Sequence, residues 1–248
     1  MNVISSSYGN DSVALIQWAK ENNLQNVHVV FIDTGWSKPG WLERVAELEA
    51  WVTSLGFKAQ HIRPEIQFEE LMRRKKGFPD QRHQWCSALL KGLPFLTWID
   101  DADPECKATV MIGKRREESQ ERKDTPEFVE SSPYHGGRRV HHPLYLHTEK
   151  MRNELIWRAG FEVLPHRSDE CSPCANANKA DLRRLTPFEI ERLKNLEGET
   201  GQTMFRTKKK GGAKGIEQVI QWAYSGRGKY NPQQESLFTS CSSGYCGY

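Results

Sequence analysis

Long hydrophobic runs are missing from this chain of 248 residues. No apolar stretch approaches the roughly 18 residues that a membrane-spanning helix requires, which excludes that class. An export signal is also lacking: the chain enters an apolar segment at Val3-Ile4 almost at once, and a cytoplasmic protein is expected. Strong charge imbalance is absent, since the net charge is only +3, so affinity for polyanions must come from local patches. Four such patches exist: Arg73–Lys76, Lys114–Arg116, Arg138-Arg139 and Lys208–Lys210. The first reads as a solvated helix face. Internal repeats are missing as well. With no export signal, the six cysteines point to metal or redox chemistry rather than disulfides. A hydrophobic share of 37% and a charged share of 27% are those of a soluble globular protein. The length allows one large α/β domain plus an appendage.

The first half alternates strand and helix signals. Strands are expected over 2–6, 27–32, 58–62 and 108–112, with a buried β-branched run in the second and another buried stretch in the fourth. Between them, a helix is expected over 11–21. Trp41, Leu42, Val45, Leu48, Val52 and Leu55 fall on one helical stripe, which Gly56 ends. Further helical segments read near 68–74 and 87–99. This alternation predicts a Rossmann-like, doubly wound parallel sheet with helices on both faces. Ligands of such sheets bind beyond the carboxyl ends of the strands. The second half reads as helices over 149–158, 187–196 and 216–224, a basic loop over 201–215, and a Gly/Ser/Gln-rich tail from Ser225. The expected division is 1–165 for the sheet domain and 166–248 for a mainly helical, cysteine-containing region.

Three segments carry chemistry at strand ends: Ser5–Ser12, Asp33-Thr34-Gly35 and Gly113-Lys114-Arg115. A strand that stops at small residues and restarts as a helix leaves backbone N–H groups for an anion. Ser5, Ser6, Ser7 and Ser12 add hydroxyls, and Gly9 permits close approach. The plainer reading of the same turn is a helix N-cap at Asn10 or Asp11. Lys114, Arg115 and Arg122 offer charge-assisted contacts to phosphate or sulfate. Against that, Glu117, Glu118 and Glu121 supply partners for an ordinary charged helix. Trp36, Trp41 and Trp51 read as core or ligand-side packing, and His141-His142, at a strand–loop exit, as structural or anion-contacting.

Five segments in order resemble the phosphoadenylyl sulfate (PAPS) reductase family of the PP-loop adenine-nucleotide hydrolase superfamily. They are Ser5–Ser12, Phe31–Gly35, Trp85–Pro94, Gly113–Arg122, and His142-Pro143-Leu144 followed by Arg167–Cys174. The resemblance spans roughly residues 2 to 174. It implies an adenine-nucleotide site built from Ser5, Ser6, Ser7, Gly9, Asp11, Ser12, Asp33, Thr34, Gly35, Gly113, Lys114, Arg115 and Arg122. The superfamily's loop lysine is replaced by Asn10, which moves the balance from ATP toward adenylyl sulfate or PAPS. Asp11-Ser12 pulls the other way, because an aspartate there could hold Mg²⁺ near a pyrophosphate.

Cys171 and Cys174 form a two-ligand chelate. The resemblance implies a 4Fe-4S cluster, for which Cys86, Cys171, Cys174 and one tail cysteine, Cys241 or else Cys246, make the count of four; zinc is the competing occupant. Cys106 reads as an inert buried thiol. Cys246-Gly247 resembles the terminal Cys-Gly that holds the nucleophile in sulfonucleotide reductases. Two functions follow. One is thiol-dependent reduction of adenylyl sulfate or PAPS, with Cys246, Asp11 and Arg115 at the reaction and a thiol reductant such as thioredoxin as partner. The other is ATP-dependent thiolation of a nucleic acid, held by the Arg206–Lys214 loop. A non-catalytic nucleotide- or nucleic-acid-binding module with a structural Cys₄ metal site is the third class.

Overall fold

A computed structural model describes residues 1–80, 83–205 and 215–226. Six strands form one sheet: β1 (Asn2–Ser5), β2 (Val27–Ile32), β3 (Lys58–Ile62), β4 (Thr109–Met111), β5 (Phe128–Val129) and β6 (Arg139–His141). Their order is β3-β2-β1-β4-β6-β5. The first five positions in that order pair in parallel, so Val3 faces His28 on one side and Val110 on the other. The sheet is mixed, because β5 runs antiparallel to β6. Only a short connection through Pro133–His135 joins those two, too little chain for a parallel crossover.

Nine helices accompany the sheet among the described residues: α1 (Asn10–Glu21), α2 (Trp41–Ser54), α3 (Phe68–Lys75), α4 (Trp85–Ser87), α5 (Leu93–Ala102), α6 (Glu149–Arg158), α7 (Lys179–Arg183), α8 (Pro187–Thr200) and α9 (Ile216–Tyr224). A π turn over Ala88–Gly92 joins α4 to α5. Side chains alternate across the strands, as a two-residue period demands. Ile4, Val29 and Phe31 enter one core with Leu15, Val45, Leu48 and Ile156 from α1, α2 and α6. Val3, Val30 and Ile32 enter the other, with Phe95 and Ile99 of α5. Helices on both faces of a mostly parallel sheet make this an α/β fold of Rossmann-like type.

A third core lies to one side. Trp36, Phe68, Leu71, Met72, Phe78 and Leu90 pack there with Leu182, Leu193, Leu196, Ile216 and Val219. The helical C-terminal region thus shares its core with residues from the sheet half. None of the described helices is long and apolar enough to cross a membrane.

Several expectations are corrected in detail. Leu42 lies off the buried stripe of α2, 40% exposed. Of the two roles expected for the tryptophans, Trp36 and Trp41 take the core one, and Trp51 packs partly buried against it. Cys106 is exposed rather than buried. The strands β5 and β6 and the helix α7 had no sequence signal, because two, three and five residues show no period. The Arg206–Lys214 loop, Cys241 and Cys246 lie outside the described residues.

Candidate functional site

β1 ends at Ser5, and the chain turns through Ser6–Gly9 into α1 beneath the carboxyl edge of the sheet. The turn's N–H groups are not left open. Ser7 N–H donates to Ser12 Oγ (3.1 Å), Tyr8 N–H to Ser6 Oγ (3.1 Å) and Gly9 N–H to Ser7 Oγ (3.3 Å). The serines therefore hold the turn's shape from inside, and an incoming anion would exchange with their hydroxyls. The left-handed residue is Tyr8 (φ 56°), not Gly9, which serves as the N-cap without a side-chain capping bond.

Asn10 and Asp11 do not cap the helix; both look sideways. The Asn10 amide donates to the carbonyl of Leu164 and accepts from its N–H, each at 2.9 Å. Asp11 Oδ1 accepts from Arg115 Nε at 2.6 Å, and its other oxygen stands 4.0 Å from Arg152 Nη1. Gly113 makes this contact available, since a methyl group there would lie 2.9 Å from the Asp11 carbonyl oxygen. Arg115 is only 4% exposed, and Arg122 is similarly buried and paired with Glu118. Burial, with the Asp11 charge nearby, pushes the Glu118 carboxyl above the usual carboxylate range. Arg115 and Arg122 thus leave the two 3₁₀ turns Arg116–Glu118 and Gln120–Arg122 as members of an internal ion network, not as exposed helix charges. Lys114 stands beside His135 and His142. Burial first, then the Lys114 charge, pushes both imidazoles down to about 4.

On the neighbouring strand end, Asp33 Oδ1 accepts the Gly35 N–H at 2.8 Å. Gly35 has a φ of 69°, the left-handed region that glycine occupies without steric cost. This loop also holds the cysteine turn. Thr34 Oγ1 lies 3.5 Å from Cys171 Sγ, Ser172 N–H donates to the Trp36 carbonyl (2.8 Å), and Trp36 Nε1 donates to the Pro173 carbonyl (2.9 Å). The Ser172-Pro173 peptide is cis. Lys91, from the π turn, forms a buried ion pair with Glu170. Burial pushes the Cys171 thiol up to about 11. Cys174 Sγ accepts the Asn176 N–H at 3.5 Å. Cys86 and Cys171 border the same apolar core. Among the described residues, however, no three His, Cys, Asp or Glu side chains converge on a metal-sized group. These residues alone do not fit a four-thiolate cluster or a zinc site.

The structure therefore brings Ser5–Ser12, Asp33–Gly35 and Gly113–Arg122 to one sheet edge, with Cys171 against the middle segment. Sequence reasoning missed Arg152, Leu164 and Arg44; Lys91 and Glu170 lie in the segments Trp85–Pro94 and Arg167–Cys174, but their pairing across 79 residues had no local signal.

A serine-rich β1–α1 turn and an Asp-Thr-Gly strand exit thus lie on the same edge of a mostly parallel α/β sheet. A family model, the phosphoadenosine phosphosulfate reductase domain, matches residues 1–171, and the chain belongs to that family. No curated protein matches it. A similar solved structure is phosphoadenylyl-sulfate (PAPS) reductase from Candida auris in a phosphate complex. It is 15% identical, with 65% of this chain and 74% of that chain covered and a TM-score of 0.46.

Proposed function

We propose that the chain binds adenylyl sulfate or PAPS across the Ser5–Ser12 and Asp33–Gly35 edge and cleaves it reductively with a cysteine thiolate. Family membership supports an enzyme acting on an adenine nucleotide in sulfur metabolism. The observation that favours a sulfonucleotide over ATP is the commitment of Asn10 and Asp11. Asn10 spends its amide on Leu164, and Asp11 faces Arg115. Neither presents the lysine charge or the open carboxylate that a Mg²⁺-bound triphosphate would use.

In this reading, Ser6, Ser7 and Ser12 exchange their internal bonds for the anionic oxygens of the nucleotide. Lys114 adds positive charge from the β4 end. The thiolate of Cys246 attacks the sulfur of the sulfate group, forming an S–S bond while the S–O bond to the phosphate breaks. AMP leaves from adenylyl sulfate, or adenosine 3′,5′-bisphosphate from PAPS. One thiolate of a dithiol reductant such as thioredoxin then attacks the Cys246 sulfur and displaces sulfite, forming a mixed disulfide; its second thiol attacks its own partner sulfur, which frees the Cys246 thiolate and leaves the reductant as a disulfide. No step is assigned to a metal cluster. ATP-dependent thiolation of a nucleic acid draws on Asp11, which is engaged, and on the Arg206–Lys214 loop.

Cys246→Ser tests the reading under anaerobic conditions. Sulfite release should fall at least a thousandfold while adenylyl sulfate still binds. Full turnover in that variant sinks the proposal. Iron and sulfide analysis of Cys86, Cys171, Cys174 and Cys241 variants would show whether those thiols hold a cluster.

A further inference from the structure

The turn that should receive an anion has no cation of its own. Asn10 occupies the position where a lysine would put one, and its amide is used up on Leu164. Arg115, Arg122 and Arg152 stand nearby, yet each already faces a carboxylate: Asp11, Glu118 and Glu149 respectively. A desolvated phosphate or sulfate without a cationic partner is costly.

One arginine against the turn differs from these. Arg44, in the second turn of α2, donates from Nε to the Tyr8 carbonyl at 3.2 Å. Its guanidinium carbon lies 5.7 Å from the Trp41 ring centroid. Among the described residues it makes no ion pair within 4.0 Å, and its Nη2 is buried without an acceptor. A part-buried guanidinium with unmet donors is expensive unless something else completes it. α2 begins shortly after the Asp33–Gly35 exit, so its first turns lie at the same carboxyl edge as the nucleotide crevice.

The geometry points to Arg44 as a second cation of the anion site, opposite Lys114, contacting the phosphoryl or phosphosulfuryl end of the bound nucleotide and replacing from α2 the charge that Asn10 lacks. This rests on the nucleotide reading above. The competing role is purely structural, a clamp on the Tyr8 carbonyl. That role would change stability but would not distinguish charged from uncharged ligands.

Equilibrium binding to the full chain separates these outcomes, with adenylyl sulfate, ATP, AMP, adenosine and inorganic phosphate as probes. Arg44→Met should weaken the anionic nucleotides about 10- to 100-fold, as expected for loss of a charge-assisted bond, and leave adenosine unchanged. Arg44→Lys should recover most of the loss. Equal affinities for the anionic ligands in wild type and Arg44→Met overturn the assignment. If wild type binds inorganic phosphate through Arg44 but no nucleotide, the nucleotide reading fails and the anion site stands. If wild type binds none of the probes, both fail. Should Arg44→Met not fold, modification of the wild-type protein with phenylglyoxal decides. Arg44 should be protected by adenylyl sulfate and not by adenosine, and an unprotected Arg44 overturns the proposal.

Discussion

At Asn10 a side chain does what a strand backbone usually does: it bonds both the N–H and the C=O of Leu164. Removing the amide leaves two backbone groups without partners. Asn10→Ala should therefore cost roughly 2 kcal/mol, read as a lower urea midpoint at unchanged slope. Asp11 carries a larger stake. Asp11→Ala would leave Arg115, 4% exposed, without its closest counter-charge. A loss of about 3–5 kcal/mol is expected, and a loss below about 1 kcal/mol would mean that Glu118 or solvent takes over. The sequence made the anion turn visible through its serines. It could not reveal these roles, because Asn10 and Leu164 are 154 residues apart and Asp11 and Arg115 are 104 apart.

Strand and helix lengths decided which elements were legible. β2 carries enough apolar residues to show a buried run, and the boundaries of β2 and of the more exposed β3 agree with the expectation. The antiparallel edge was invisible for the opposite reason: two residues of β5 against three of β6 leave no pattern to read. The end of β4 approaches the start of α1 closely at Gly113. Gly113→Ala would push a methyl to 2.9 Å from a backbone oxygen that cannot rotate away. Separation of β4 from the α1 start should destabilise the protein by about 1–3 kcal/mol. It should also weaken nucleotide binding, because Lys114 and Arg115 move with the strand end. Unchanged binding in a folded Gly113→Ala protein would show that the loop after β4 does not reach the ligand.

Two buried imidazoles held uncharged contribute acid sensitivity to the whole molecule. His135 and His142 have folded-state values of about 4, against an ordinary 6.5. The unfolded chain therefore takes up protons first as pH falls. Stability is full above about 6.5 and is lost progressively toward 4, by roughly 2 kcal/mol per histidine at pH 5. His142→Asn keeps a donor for the Pro126 carbonyl that His142 Nδ1 faces at 2.8 Å. Its stability should fall less steeply between pH 6.5 and 4 than that of the wild type. Parallel curves would assign the acid loss to carboxylates instead.

The core shared by Trp36, α3, α8 and α9 has a consequence for synthesis. The chain emerges from the ribosome with the sheet strands first, while the helices that cover Trp36, Phe68 and Met72 come from residues 179–224. Until those residues are out, one flank of the nascent sheet exposes an apolar surface with nothing to bury it. The flank that these helices cover stays apolar and exposed until the last of them is made, a stage at which such surface is prone to association.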